Sequence, residues 1–355
     1  MKKGLLIIPF LKGYGGTETV INNVLDQFDS NSYSKEIELT TFCIGGTEEL
    51  GWLNHKNVHI LNYPNNRIFR TIMYIFTLPF VISFLILKYK PDFVMSTNPI
   101  MWYFSKLSSL ILKKKIAIVA WYHYSFELKP VRRVFLKKAD RFFVISSSAV
   151  KEITSRGIDS SKINIVYNPI NKTEHVINNS SKNNIFVYVG RTEFEGQKNI
   201  SELFYAFSKL NQYDWKLMIY GVGPDKERLV QLSNKLNISS NIKWMGFQLN
   251  VFDEIKLANA IVLTSKFEGL PMVLIEGISN GLFAISSDCP TGPSEIINDE
   301  NGLLYKVGNV DELAHDLSLV IEGKVNNNKD NIKKSVSKFY IDEYMNRIIR
   351  YINEI

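Results

Sequence analysis

The sequence predicts an α/β protein built from two doubly wound parallel sheets. Its 355 residues leave room for two ordinary hydrophobic cores. Strand-like and helix-like runs alternate in two successive series. Between the series lies "NKTEHVINNSSKNN", residues 171–184, which is polar and without periodicity.

The first strand is "KGLLIIPF". Its basic start and apolar run raise the question of a secretory leader, but Pro9 and Lys12 cut the run short and no small-residue cleavage site follows. "EIELTTFCI", "NVHILNY", "PDFVMSTN", "KIAIVAWYH", "RFFVIS" and "INIVYNP" are further aliphatic, aromatic and β-branched runs bounded by polar residues, the pattern of strands covered on both faces. "TETVINNVLDQF" and "SSAVKEITSRG" read as helices between them. The second series continues with "NIFVYVGR", "SELFYAFSKL", "WKLMIYGVG", "DKERLVQLSNKL", "IKWMGF", "VFDEIKLAN", "AIVLTS", "LPMVLIEGISNG" and "LFAISSD". "FYIDEYMNRIIRYINEI" is amphipathic with no strand after it. The expected domains are therefore residues 1–172 and 183–336, with a helix in 337–355 packing back on the first.

Apolar content of 45% and charged content of 22% are those of a globular protein. The two cysteines, Cys43 and Cys289, are far apart and form no metal or redox motif, which points to a reducing compartment. Residues 1–170 carry 22 Lys and Arg against 12 Asp and Glu, while the remainder carries 20 against 23. All the excess positive charge thus lies in the first half, much of it in "LKKK" (Leu112–Lys115) and "KPVRRVFLKK" (Lys129–Lys138). Such basic, apolar-interleaved segments suit anionic lipid headgroups or an anionic polymer. Nucleic acid is not expected, because no zinc finger, RRM or basic zipper signature occurs. The uncharged run between Arg70 and Lys88 falls just short of the ~18–20 residues of a membrane span and contains Pro79. It reads as a buried helix or one lying in a membrane interface.

"SKFEGLPMVLIEGISNG" places Glu268 and Glu276 on either side of Gly-Leu-Pro. Pro271 opens a short helix to Asn280 and Gly281 stops it. Glu268 then lies in a strand-to-helix loop, where open α/β sheets bind ligands and free N–H groups face anions. A capping role for Glu268 and a wet-side place for Glu276 is the plain alternative, and the apolar neighbours of Glu276 weigh against it. Three more loops follow strands. "FLKGYGGTETV" brings Gly15 and Gly16 before a helix, "VGRTEFEGQKN" brings Arg191 and Lys198 with no acid at an obvious pairing offset from both, and "YGVGPDKERL" brings Gly221 and Gly223. His123 ends the "KIAIVAWYH" strand. His55 and His59 sit on a strand, where spacing four does not bring the rings together, and no Asp-x-Asp occurs, so no metal is expected.

The run "FEGLPMVLIE" resembles the Glu-x7-Glu signature of the retaining glycosyltransferases of family 4. "GYGGTE", "GRTEFEGQKN", "YGVGPDKERL" and "NGLLYKVGNVDELA" fall where that family has its other loops. "GRTEFEGQKN" and "DCPTGPSEII" look closest to the lipopolysaccharide 1,6-galactosyltransferase branch. The resemblance implies the GT-B fold, two Rossmann-like domains facing across a cleft, and transfer of a hexose from a UDP-sugar donor to a glycan or glycolipid acceptor. It implies no cofactor. Glu276 would hold the ribose and Glu268 the donor hexose, with the backbone of Gly269, Leu270 and Pro271 facing the diphosphate. Arg191 and Lys198 would neutralise the leaving diphosphate, Gly16 would let the first domain approach it, and His123 would sit against the reacting sugar. The sugar would leave as an oxocarbenium-like species and be attacked from the same face, with retention. Two departures stand out: the interval from Arg191 to Lys198 is long, and the basic residue beside the first Glu is displaced to Lys266. The basic first half suits a peripheral protein on the cytoplasmic face of an anionic membrane. A UDP-sugar epimerase or hydrolase on the same fold is the alternative, and a non-enzymatic binding partner a third reading.

Overall fold

The computed structural model describes every residue except Tyr14, Asn31, Ser32, Ser34, Ser125, Glu127 and Leu128. It divides into two compact units, Met1–Pro169 with Ile341–Ile355, and Ile170–Tyr340.

The first unit runs β1 (Lys2–Ile8), α1 (Gly16–Asp29), β2 (Ile37–Gly45), β3 (Val58–Asn62), α2 (Arg67–Tyr89), β4 (Phe93–Ser96), α3 (Pro99–Ile111), β5 (Ala117–Tyr122), α4 (Arg133–Leu136), β6 (Arg141–Val144), α5 (Ser147–Thr154) and β7 (Ile163–Ile165). Its seven strands are parallel in the order β3-β2-β1-β4-β5-β6-β7. Successive strand residues face opposite sides, so Leu5 and Ile7 join a core with Leu78, Ile82 and Trp102 of α2 and α3. Leu6 and Ile8 join the other core, with Val20 and Val24 of α1.

The second unit begins with β8 (Asn184–Val189), α6 (Ile200–Ser208), β9 (Trp215–Tyr220), α7 (Lys226–Lys235), β10 (Ile242–Gly246) and α8 (Val251–Glu254). It continues with β11 (Ala260–Leu263), α9 (Met272–Ser279), β12 (Phe283–Ser287), α10 (Pro293–Ile296), β13 (Gly302–Tyr305), α11 (Val310–Ile321) and α12 (Lys329–Ser335). Six parallel strands lie in the order β10-β9-β8-β11-β12-β13.

Two expectations need correction. Residues 171–184 are not a free linker, because Ile177 donates to the Asn280 carbonyl, Ala258 donates to that of Asn178, and Lys333 reaches those of Thr173 and His175. These bonds satisfy its backbone on the second unit, so the units divide at Pro169 rather than at 172 and 183. Residues 337–340 also stay with the second unit, where Ile170 pairs with Tyr340. Only α13 (Ile341–Asn353) crosses to the first unit and buries Tyr344, Met345, Ile348 and Ile352 against β-strand and α1 side chains.

The uncharged run forms one helix with one face buried and the other exposed. α2 has 23 residues, is capped by the Asn66 side chain at Ile68 and Phe69, and is long and apolar enough by length and composition to cross a membrane. Tyr74, Leu78, Ile82, Leu85 and Ile86 pack into the core. The opposite face, Phe69, Ile72, Phe76, Phe80, Phe84 and Leu87, is apolar and exposed, with Phe76 at 69% and Phe80 at 78%. As the crossover between β3 and β4, α2 has both ends tied to one sheet and its inner face covered by it. That topology permits the helix to lie along an interface.

Ile348→Ala removes a fully buried side chain from the α13 seam. It should destabilise the first unit by about 2–4 kcal/mol, read as a lower urea midpoint at unchanged slope.

Candidate functional site

In the second unit the chain steps outward from β8 to β9 and β10, then returns to β11 on the other side of β8. This reversal is a topological switch point, where the connections leaving the carboxyl ends of β8 and β11 run toward opposite edges of the sheet. Those loops carry Arg191 and Lys198, and Glu268.

The two loops are tied together by side chains. Lys198 Nζ lies 2.6 Å from Glu268 Oε1, with both side chains largely buried. Gln197 donates to Glu268 Oε2 at 3.4 Å and to the Phe267 carbonyl at 3.0 Å, and its own Oε1 accepts from Arg191 Nη2 at 3.0 Å. Lys266 N–H donates to the Gln197 carbonyl at 2.8 Å and Thr264 Oγ1 to that of Lys198 at 2.9 Å. The displaced Lys266 is thereby bound to the β8 loop, its Nζ reaching the Glu195 carbonyl at 3.0 Å. Arg191 and Lys198 do have acidic partners. Glu193 takes Arg191 at 2.8 Å, and Lys198 finds Glu268 across 70 residues. The Arg191 side chain nevertheless keeps 62% exposure, so its guanidinium can still meet an anion.

Beyond Glu268 the backbone turns into α9. Pro271 is its N-cap rather than its first helical residue. Gly269 and Leu270 donate to no acceptor among the described residues, and the first N–H groups of α9 are unpaired by helix geometry. The loop after β12 covers this turn: Thr291 Oγ1 donates to the Glu268 carbonyl, and Gly292 has φ 95°. A Cβ on Gly292 would stand 2.5 Å from Pro271 Cδ, so only glycine fits.

Glu276, on α9, has no side-chain partner among the described residues, and burial pushes its carboxyl up to about 7. The two signature acids therefore differ in kind. Glu268 is paired, whereas Glu276 is desolvated and uncompensated.

Gly190, Arg191, Gly221, Val222, Phe247 and Gln248 line a cavity of about 390 Å³ at the carboxyl ends of β8, β9 and β10. Gly221, at φ 135°, brings its Cα so close to Gly190 that a Cβ would stand 1.9 Å from the Gly190 carbonyl oxygen. Gly223 instead packs on Thr192 and does not line this cavity. Phe247 and Gln248 were not singled out from the sequence. An exposed aromatic directly after a strand and its positive-φ Gly246 is the signal that marks them.

In the first unit Gly15 is the N-cap of α1 and makes room for the buried Glu18, whose carboxylate would lie 2.4 Å from a Cβ there and accepts from Gly13 N–H. Gly15 thus serves the protein's own acid, while Gly16 faces open space. His123 follows β5 and is 8% exposed, with Nδ1 3.0 Å from Asn168 Oδ1. Burial pushes its pKa down to about 4, so the ring is neutral near pH 7. His55 and His59 do not converge: His55 is held by Asp29 and Asn22, and His59 stacks on Phe42.

Glu276→Gln tests the desolvated acid. Below pH 4.5 the carboxyl is protonated in both folded and unfolded chains and costs nothing. Between 4.5 and about 7 the unfolded chain ionises first, so folded stability falls as pH rises and levels off above 7. The variant should be more stable than the parent by about 2 kcal/mol at pH 8 and equal to it at pH 4, by thermal melts of the unliganded protein.

The Glycosyl transferases group 1 model matches residues 170–339 and the Glycosyltransferase Family 4 model residues 14–174. The chain is 31% identical to the lipopolysaccharide 1,6-galactosyltransferase of Escherichia coli K12, over 96% of this chain and 95% of that one. It is 32% identical to the enzyme of the same description from Salmonella typhimurium, over 93% and 92%. Among solved structures, the apo form of the lipopolysaccharide outer core galactosyltransferase WaaB superimposes with a TM-score of 0.87 at 30% identity, covering 99% of both chains. HepE of Anabaena in complex with UDP shares the fold, with a TM-score of 0.80 at 15% identity over the whole of both chains. Two parallel-sheet Rossmann-like units, the Glu268-to-Glu276 loop and helix, and whole-length similarity to hexosyltransferases lead to one conclusion: the chain is a glycosyltransferase of family 4, with the GT-B fold.

Proposed function

We propose that the protein transfers a hexose, galactose first among candidates, from a UDP-sugar to a hydroxyl of a membrane-associated glycan or glycolipid, with retention and without metal. One observation carries this: Arg191, Gln197, Lys198 and Glu268 converge at the switch point beside the N–H groups of Gly269 and Leu270, which have no acceptor among the described residues. Such a cluster opposes the charge that builds on a diphosphate as its sugar leaves, and it is prepaid in the folded loops. Arg191 supplies an exposed fork for phosphate oxygens. Lys198, fixed by Glu268, supplies a point charge, and Glu268 keeps further lone pairs for donor hydroxyls. Glu276 regains partners when two ribose hydroxyls donate to it. The apolar cavity bordered by Phe247 and Gln248 has the size and one-sided polarity for a nucleobase. His123 offers a neutral ring nitrogen to a sugar hydroxyl. With nucleotide and sugar so held, the departing phosphate oxygen takes the acceptor's proton.

Two whole-length relatives described as galactosyltransferases support hexosyl transfer and do not favour an epimerase or hydrolase. Their descriptions also support a surface-glycan acceptor. A membrane surface as partner, and a place on its cytoplasmic side, are supported by the first unit's charge and apolar face. From Leu50 to Lys138 the chain has fourteen Lys and Arg and only two acids, Asp92 and Glu127. Leu110 and Ile111 of α3 are exposed as well and lead into exposed Lys113, Lys114 and Lys115. Anionic headgroups complement such a rim while the rings enter the acyl boundary.

With UDP-galactose and a glycolipid acceptor, Arg191→Ala and Glu268→Ala should each lower kcat/KM about 10²–10³-fold, and transfer should persist in EDTA. Full activity in both variants would sink the assigned roles. Equal donor turnover with and without acceptor would favour hydrolysis.

Vesicles containing phosphatidylglycerol should bind the protein at low salt. The Phe76→Glu and Phe80→Glu double variant should lose at least about tenfold in that affinity, since each buried ring is worth about 2 kcal/mol. Failure of the parent protein to float with these vesicles removes the membrane from the proposal.

A further inference from the structure

The transfer chemistry above uses the His123 ring but leaves Asn168, buried beside it, without a role. Both side chains are nearly closed to solvent, His123 at 8% and Asn168 at 7% exposure. Asn168 Oδ1 lies 3.0 Å from His123 Nδ1, and the Trp121 ring stands edge-on 4.6 Å from the imidazole. His123 Nε2 is buried without a partner among the described residues. An orphaned buried polar atom costs about 1–3 kcal/mol, so its presence calls for an occupant.

The backbone that presents Asn168 is constrained from both sides. Tyr167 has φ 65°, a left-handed conformation that a bulky residue adopts only when its surroundings impose it. The N–H groups of Val166 and Tyr167 both donate to the Val144 carbonyl, at 2.9 and 3.2 Å. Arg347 of α13 donates to the Val166 carbonyl at 3.3 Å and lies 5.5 Å from the Tyr167 ring centroid. Pro169 restricts Asn168 to extended backbone. This strained turn delivers one amide oxygen to one imidazole nitrogen.

We propose that Asn168 is a positioning residue: it holds His123 as the Nδ1–H tautomer, so that Nε2 presents a lone pair to a hydroxyl of the sugar being transferred. A carbonyl oxygen only accepts, so Nδ1 carries the proton and Nε2 does not. The neutral ring that burial enforces keeps Nε2 an acceptor near pH 7. The identity of the occupant rests on the transferase reading, whereas the tautomer does not.

The test has two arms on the full-length protein. In the first, ¹⁵N-histidine NMR at pH 7.5 without donor should show a protonated Nδ1 and an unprotonated Nε2 for the resonance lost in His123→Gln. Asn168→Ala should convert that resonance to the Nε2–H form or a mixture. In the second, Asn168→Ala should lower kcat/KM for the donor sugar about tenfold or more, because the wrong tautomer puts a donor where an acceptor is needed. Asn168→Asp, which keeps an oxygen in place, should return it to within about threefold at pH 8, and it serves alone if the alanine variant does not fold. An Nε2–H ring in the parent protein, or an alanine variant unchanged in both tautomer and kcat/KM, overturns the proposal. The expected tautomer in a protein that transfers no hexose overturns the sugar as occupant and the transferase reading, not the role of Asn168 in holding the ring.

Discussion

The buried Lys198–Glu268 pair is the constraint on which the second unit's site depends. A charge removed from water is tolerated only when an opposite charge and hydrogen bonds replace the solvent, and neither residue has that replacement on its own loop. The β8 and β11 loops must therefore close on one another, and they can because their strands are neighbours in the sheet. Once Lys198 and Glu268 meet, Gln197 is placed between Arg191 and Glu268, and the chain after Glu268 enters α9 through its N-cap Pro271. Glu276, eight residues later, shows the opposite solution. It is desolvated but has no cation among the described residues, so its proton is held more tightly until something else donates to it.

The first unit is organised around a different asymmetry. Its sheet needs α2 on one face, and Leu78, Ile82 and Leu85 meet that need completely. The outward rings of α2 contribute nothing to this core. A helix that is apolar on both sides yet packed on only one carries hydrophobic surface that folding does not consume.

Much of this was legible in the sequence, for identifiable reasons. Parallel strands covered on both faces appear as unbroken aliphatic runs, and nearly every such run became a strand. "GLLY" of β13 was too short to stand out, and "PIMWYFSKLSSLI" of α3 is apolar on too many sides to show a helical stripe. The polarity of residues 171–184 looked like a linker because composition does not reveal where backbone N–H groups find partners. Within the site, Arg191, Lys198, Glu268 and Glu276 could be picked out by type and by place after strands. Their partners could not. Glu193 pairs at an offset of two and Glu268 at seventy, distances that only the sheet order converts into contact. Gly15 and Gly223 add what a loop motif does not show: a Cβ would meet the Glu18 carboxylate at the first and Thr192 at the second.

The return of α13 has a consequence for how the chain is made. The second unit is continuous from Ile170 to Tyr340, but the first needs its final helix to cover Leu6, Ile8, Trp121 and Phe143. During synthesis from the N-terminus, the earlier-made sheet must therefore wait with one face incomplete while the later-made unit has its whole sequence already in hand. A helix made after the whole second unit completes a sheet made before it.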